Sequence, residues 1–231
     1  MPDITIKAKD GSFSGYLAQP TSGRGAGIVL IQEIFGVNKV MRDIADGLAQ
    51  QGYVVLCPDL FWRQEPGIQL TDKTEAEWAR AFELYKGFDE AKGVEDLIAT
   101  LDHLRGLPEV AGSKVGCVGF CLGGKLAYLM ATHSNVDCSV SYYGVGIENA
   151  LDEAVNIKRP LLMHIAEKDR FVPAEAQAKI KERLSQNANV TIHTYPGQDH
   201  AFARVGGEHY NKEAADLANQ RTREFFEQHL R

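Results

Sequence analysis

The chain has no apolar run of membrane-spanning length, no basic cluster and only four cysteines among 231 residues. The first lack excludes a transmembrane helix. The second, with a formal net charge of −6, argues against a nucleic-acid partner. The opening Met1-Pro2-Asp3-Ile4-Thr5-Ile6-Lys7 carries no apolar signal-like stretch. The cysteines at 57, 117, 121 and 138 show no pairing pattern, so reduced thiols and a cytoplasmic location are expected. No Cys/His spacing suits zinc, and neither a P-loop nor a dinucleotide fingerprint occurs, so no metal and no cofactor is expected. Repeats, low-complexity tracts and linkers are also missing, which leaves residues 1–231 as one expected domain. What is present is ordinary for a globular core: 44% hydrophobic and 24% charged residues. Nothing speaks to oligomeric state, and a monomer is consistent with the sequence.

Apolar runs alternate with amphipathic stretches. Ile4 and Ile6 with 13–17 predict a hairpin turned at Asp10-Gly11. Residues 27–31 and 53–59 read as buried strands around a helix that Asn38 caps and that carries Met41, Ile44, Ala45 and Leu48 on one face. From about 61 to 93 the pattern breaks: a helix at 74–88, with Trp78, Phe82 and Tyr85 along one side, is followed by no strand. This reads as an excursion over the carboxyl edge of a sheet, where α/β proteins bind ligands. Further helices are predicted over 95–107, 124–132, 174–184 and 211–230. Further strands are predicted at 115–119, 136–143, 160–166 and 190–195. The whole reads as an α/β, doubly wound, mostly parallel sheet with helices on both faces.

Lys114 to Gly124 joins strand to helix through Gly119-Phe120-Cys121-Leu122-Gly123, a nucleophile flanked by glycines two residues to either side. A turn that tight strains the nucleophile's backbone and needs neighbours without Cβ atoms. It also aims the sulfur at a helix N-terminus, which favours a thiolate and later an oxyanion. The other three cysteines lie in apolar runs and read as packing. Asp169 and His200 each fall just past the carboxyl end of a later predicted strand. The order nucleophile, acid, histidine can therefore meet at one sheet edge, with His200 moving protons and Asp169 orienting the imidazole. By composition alone Asp199 could take the place of Asp169. Glu33, directly after a buried strand, is a costly place for a carboxylate unless it has a partner or a task.

These motifs resemble the dienelactone hydrolase (carboxymethylenebutenolidase) family of α/β-hydrolases. The resemblance rests on Gln32-Glu33-Ile34-Phe35-Gly36, the cysteine elbow with Gly124, Glu167-Lys168-Asp169, and His200-Ala201-Phe202-Ala203-Arg204, and spans essentially the whole chain. It implies an α/β-hydrolase fold, a Cys121-His200-Asp169 triad, and hydrolysis of a small carboxylate-bearing unsaturated lactone to maleylacetate. It further implies that Glu33 holds the resting thiol and takes its proton when substrate arrives. The backbone N–H groups of Ile34 and Leu122 would form the oxyanion hole, and Arg80 and Arg204 would bind the substrate carboxylate. Glu77 and Glu83, one helical turn from Arg80, could instead pair with it. Ala201 stands where the family often has serine, which bears on fine specificity. The rival readings are a differently specific esterase or lactonase on the same triad, a thiol redox sensor, and a binding domain without catalysis.

Overall fold

Strands that read as unbroken apolar runs are the buried ones in the computed structural model, which describes residues 3–110 and 112–231. Among the described residues eight strands and six α-helices follow one another, and the chain gathers into two compact units, Met1–Gly116 and Cys117–Arg231.

In the first unit, β1 (Asp3–Ala8) and β2 (Gly11–Ala18) form the expected hairpin. β2 pairs antiparallel with β4 (Val54–Pro58), and β4 pairs parallel with β3 (Gly27–Ile31). Every residue of β3 and β4 is buried, as continuous Val/Ile/Leu runs in parallel strands require. α1 (Lys39–Gln50) begins where Asn38 Oδ1 accepts the Met41 N–H at 3.1 Å, so the predicted cap holds. α2 (Glu75–Lys86) is capped by Thr74. α3 (Glu90–Gly106) starts five residues before the sequence pattern predicts. Asp89 caps it, and Gly93, near the end of the stretch where the sequence pattern breaks, sits inside the helix, where any Cβ would lie 2.4 Å from the Phe88 ring.

The excursion between β4 and α3 folds back along the turn that follows β3. Leu70 N–H donates to the Phe35 carbonyl at 2.9 Å, Asn38 Nδ2 donates to the Leu70 carbonyl at 2.9 Å, and Gly36 bridges Gln69. The segment thus lies against the turn that follows β3.

In the second unit the strands β5 (Val115–Phe120), β6 (Ser139–Tyr142), β7 (Leu161–Ala166) and β8 (Val190–Tyr195) pair in that order, all parallel. β6 is shorter than the 136–143 run. Helices α4 (Leu122–His133), α5 (Ala174–Leu184) and α6 (Lys212–Leu230) separate or follow them. Two 3-10 turns, Ile147–Asn149 and Leu151–Asn156, fill a stretch with no readable period. Among the described residues no helix is long and apolar enough to cross a membrane.

Candidate active site

The elbow is tighter than the sequence pattern suggests: α4 begins at Leu122, immediately after Cys121, and not beyond Gly124. Cys121 takes φ 57° and ψ −115°, a conformation few non-glycine residues adopt. Its N–H is held by the Tyr142 carbonyl at 3.1 Å, and its carbonyl accepts from Gly124 and Lys125 at 3.0 and 3.2 Å. The glycines are steric requirements. A Cβ on Gly119 would lie 1.9 Å from the Gly123 carbonyl oxygen, and one on Gly124 would lie 2.4 Å from the Tyr142 oxygen. As the first residue of α4, Leu122 carries one of the N–H groups that a helix cannot bond internally, at the positive end of its dipole.

Cys121, Asp169 and His200 come together. His200 Nδ1 lies 2.8 Å from Asp169 Oδ2, with both side chains almost wholly buried. The other carboxylate oxygen, Oδ1, accepts the N–H groups of Phe171 and Val172 at 2.9 and 3.3 Å, which fixes the acid. Asp199, the alternative on composition, does another job: its Oδ1 accepts the backbone N–H groups of His200 at 2.6 Å and Arg170 at 3.1 Å. It braces the loop, and Asp169 holds the ring.

On its other side His200 shares a side-chain hydrogen bond with Cys121. Burial works to lower the His200 pKa, but the charge on Cys121, the bond to Asp169 and the bond to Cys121 outweigh it and push it up to about 10. The half-buried Cys121 is the one cysteine of the four with any exposure. Cys117 is fully buried, 3.3 Å from Ser139 Oγ, and burial pushes its thiol up to about 12. Burial likewise pushes the Cys57 thiol upward. Those two are packing groups, inert as nucleophiles.

Arg204 is buried on the turn that carries His200, its N–H donating to the Ala201 carbonyl at 2.9 Å. Ala201 itself has φ 62°. In the first unit, Glu33 and Ile34 occupy the buried turn after β3, 4% and 5% exposed. Gln32 secures that turn, with its Oε1 accepting the Leu60 N–H at 3.0 Å and its Nε2 donating to the Glu33 carbonyl at 3.2 Å. Arg80 is paired, but with Glu65 and Glu83; Glu77 is occupied by Thr71 and Thr74. The predicted competitor was half right, because Glu65 lies fifteen residues away on the excursion and no helical spacing reveals it. Trp78 and Phe82 stack at 5.5 Å, with Phe35 edge-on to Trp78 at 4.9 Å, forming a half-buried aromatic group. Phe171, whose ring lies against His200, was missed; its only sequence signal is a place two residues after the acid. Among the described residues no cluster of three His, Cys, Asp or Glu has the arrangement to hold a metal.

The dienelactone hydrolase family model matches residues 13–230. A protein of Azospirillum brasilense named "putative carboxymethylenebutenolidase" is 54% identical over 233 residues, covering all of both chains. The carboxymethylenebutenolidase of Pseudomonas putida is 41% identical over 223 residues, 96% of this chain and 94% of that one. Among solved structures, a "putative dienelactone hydrolase" from Klebsiella pneumoniae superposes with a TM-score of 0.87 at 27% identity, covering 99% and 98% of the two chains. With a cysteine at the strained elbow, a histidine bonded to it and an acid behind that histidine, this chain belongs to the dienelactone hydrolase family and is a carboxylic ester hydrolase of the α/β-hydrolase fold.

Proposed function

We propose that the protein hydrolyses a small unsaturated lactone bearing a carboxylate, dienelactone to maleylacetate, through a thioester on Cys121. The observation that carries this is His200 bonded to both Cys121 and Asp169. Glu33 holds the resting thiol and takes its proton when substrate arrives. The thiolate adds to the lactone carbonyl, and the N–H groups of Ile34 and Leu122 receive the oxyanion. The intermediate collapses by breaking the ring C–O bond, and the dienolate that leaves takes the proton of His200. Acylation removes the sulfur's charge, and with it one main reason for the high His200 pKa. The neutral ring can now accept a proton from water as that water attacks the thioester. The sulfur departs as thiolate beside the renewed imidazolium and recovers its proton from Glu33. A dienolate is a good leaving group, so a thiol suffices where a poorer one would call for a stronger catalyst.

Arg204 is the better candidate for the substrate carboxylate, because it is buried on the turn that carries His200, whereas Arg80 lies on the excursion against Glu65 and Glu83. End-to-end agreement with the curated relatives supports taking the chain as one catalytic domain. Four free cysteines, one of them the catalytic thiol, suit a reducing compartment, so we assign it to the cytoplasm. The test is kcat/KM for cis- and trans-dienelactone against a neutral aryl ester. A clear preference for the acidic lactones supports the reading; equal turnover of the aryl ester makes the protein a broad esterase. No turnover of any of them sinks the hydrolase chemistry.

A further inference from the structure

We propose that Tyr143 and Phe171 are positioning residues: their rings grip the His200 imidazole, fix its plane between Cys121 and Asp169, and favour its charged form. This rests on the cysteine-hydrolase reading. The Tyr143 centroid lies 5.1 Å from that of His200 with the planes at 63°, and the Phe171 centroid lies 4.9 Å away at 77°. Both are T-shaped contacts, and both rings are within the reach at which an aromatic ring attracts a cation. The bond to Asp169 fixes one ring nitrogen, yet the imidazole could still turn about that bond; packed rings remove this freedom.

Tyr143 holds its place at a cost. Its φ is 38°, a conformation that glycine would adopt without strain and a bulky side chain rarely does. The turn is imposed from outside. Tyr143 N–H donates to the His164 carbonyl at 2.8 Å, and the next residue, Gly144, runs so close to the elbow that a Cβ on it would lie 2.7 Å from the Gly124 carbonyl carbon. A strained, buried tyrosine at this bend points to a task for its ring. Phe171 joins both partners of the pair in one residue. Its N–H donates to Asp169 Oδ1 at 2.9 Å, its ring touches His200, and the Arg170 guanidinium caps the ring 5.1 Å from its centroid. The ionisable groups recorded against His200 within this unit are Cys121, Asp169 and the Tyr143 phenol at its ring and Asp199 at its backbone N–H.

The experiment is the pH profile of Cys121 alkylation by iodoacetamide, with kcat and KM on a turned-over ester, for Tyr143→Leu, Tyr143→Phe and Phe171→Leu. Leucine and phenylalanine bear the same backbone strain as tyrosine at position 143, so the comparison isolates the ring. With the ring gone, alkylation of Cys121 at neutral pH should slow by about tenfold, because the imidazolium that supports the charged sulfur is less favoured. In the same variants kcat should fall by about tenfold with KM nearly unchanged. Tyr143→Phe should restore both. Leucine variants that lose thermal stability but keep the wild-type alkylation profile and kcat would overturn the proposal, since the rings would then only pack. Should Tyr143→Leu fail to fold, Phe171→Leu decides, because that residue is half exposed. Alkylation needs no substrate, so a wild-type protein without ester turnover would refute the hydrolase reading separately.

Discussion

At the scale of single residues, reactivity here is a matter of surroundings. Four cysteines share one chemistry, yet Cys121 is paired with a histidine, while burial holds Cys57 and Cys117 as thiols. Cys121→Ala should abolish turnover with the fold intact, and Cys121→Ser should retain little activity because a hydroxyl is far less acidic than a thiol. A slow substrate should leave its acyl mass on the peptide containing Cys121 and on no other; an adduct at Cys57, Cys117 or Cys138 would refute the assignment. Removing the sulfur also removes from His200 both the bond to Cys121 and the charge the sulfur carries once ionised. NMR titration should therefore find the imidazole pKa lower in Cys121→Ala than in wild type, and an unchanged value would mean the pair is not coupled. Glu33→Gln can hydrogen-bond but cannot take a proton, so kcat should fall by roughly 10²–10⁴. Substrate choice divides the arginines. Arg204→Ala should cost on the order of 10–100-fold in kcat/KM on an acidic lactone and little on a neutral ester. Arg80→Ala should cost less, because that side chain is more exposed, while Arg204 is buried four residues past His200.

At the scale of elements, the elbow exists because two stretches of backbone touch. Gly119 meets Gly123 and Gly124 meets Gly144, closer in each case than a Cβ allows. Gly119→Ala should therefore destabilise the protein by more than about 3 kcal/mol, as backbone atoms cannot step aside. Gly47→Ala in α1 has nothing within 4 Å of the added carbon and should stabilise by about 0.5–1 kcal/mol. Chemical denaturation of the two variants gives both signs, and equal effects would refute the steric account. The same contacts explain what could be read from the sequence. The elbow, the strand ends bearing Asp169 and His200, and most of the helices show as glycine spacing and apolar period. The start of α3 does not, because Gly93 is there to receive Phe88, a tertiary reason that local pattern cannot carry. The choice between Asp169 and Asp199 needed distances. The Glu65 partner of Arg80 lies on an aperiodic loop, and the 3-10 turns at 147–156 repeat at no period the eye can follow.

At the scale of the whole molecule, stability against pH has a recognisable contributor away from the chemistry. His164 in β7 is fully buried, its Nδ1 2.8 Å from the Tyr195 hydroxyl and its Nε2 3.0 Å from Thr222 Oγ1 on α6. Thr222 in turn bonds the Tyr142 hydroxyl at 2.6 Å, so one network ties β6, β7, β8 and α6. Burial, with the charges of His193 and Arg221, holds the His164 pKa well below 6.5. The half-buried His193 is lowered for the same kinds of reason, burial first and Arg221 second. In the unfolded chain both rings take protons as pH falls through about 6.5, whereas the folded chain refuses them. The unfolded state therefore binds more protons below that pH, and each histidine makes stability fall as the solution is acidified. The slope approaches about 1.4 kcal/mol per pH unit per group between the two pKa values. Replacing His164 by Gln should lower stability at pH 7.5 through lost packing and hydrogen bonding, yet flatten its decline between pH 6.5 and 5. Urea midpoints for both proteins across that range give the comparison. Parallel curves would show that the ring is protonated equally easily in the two states, and that the network is held by its tyrosine and threonine hydroxyls without a neutral histidine at its centre.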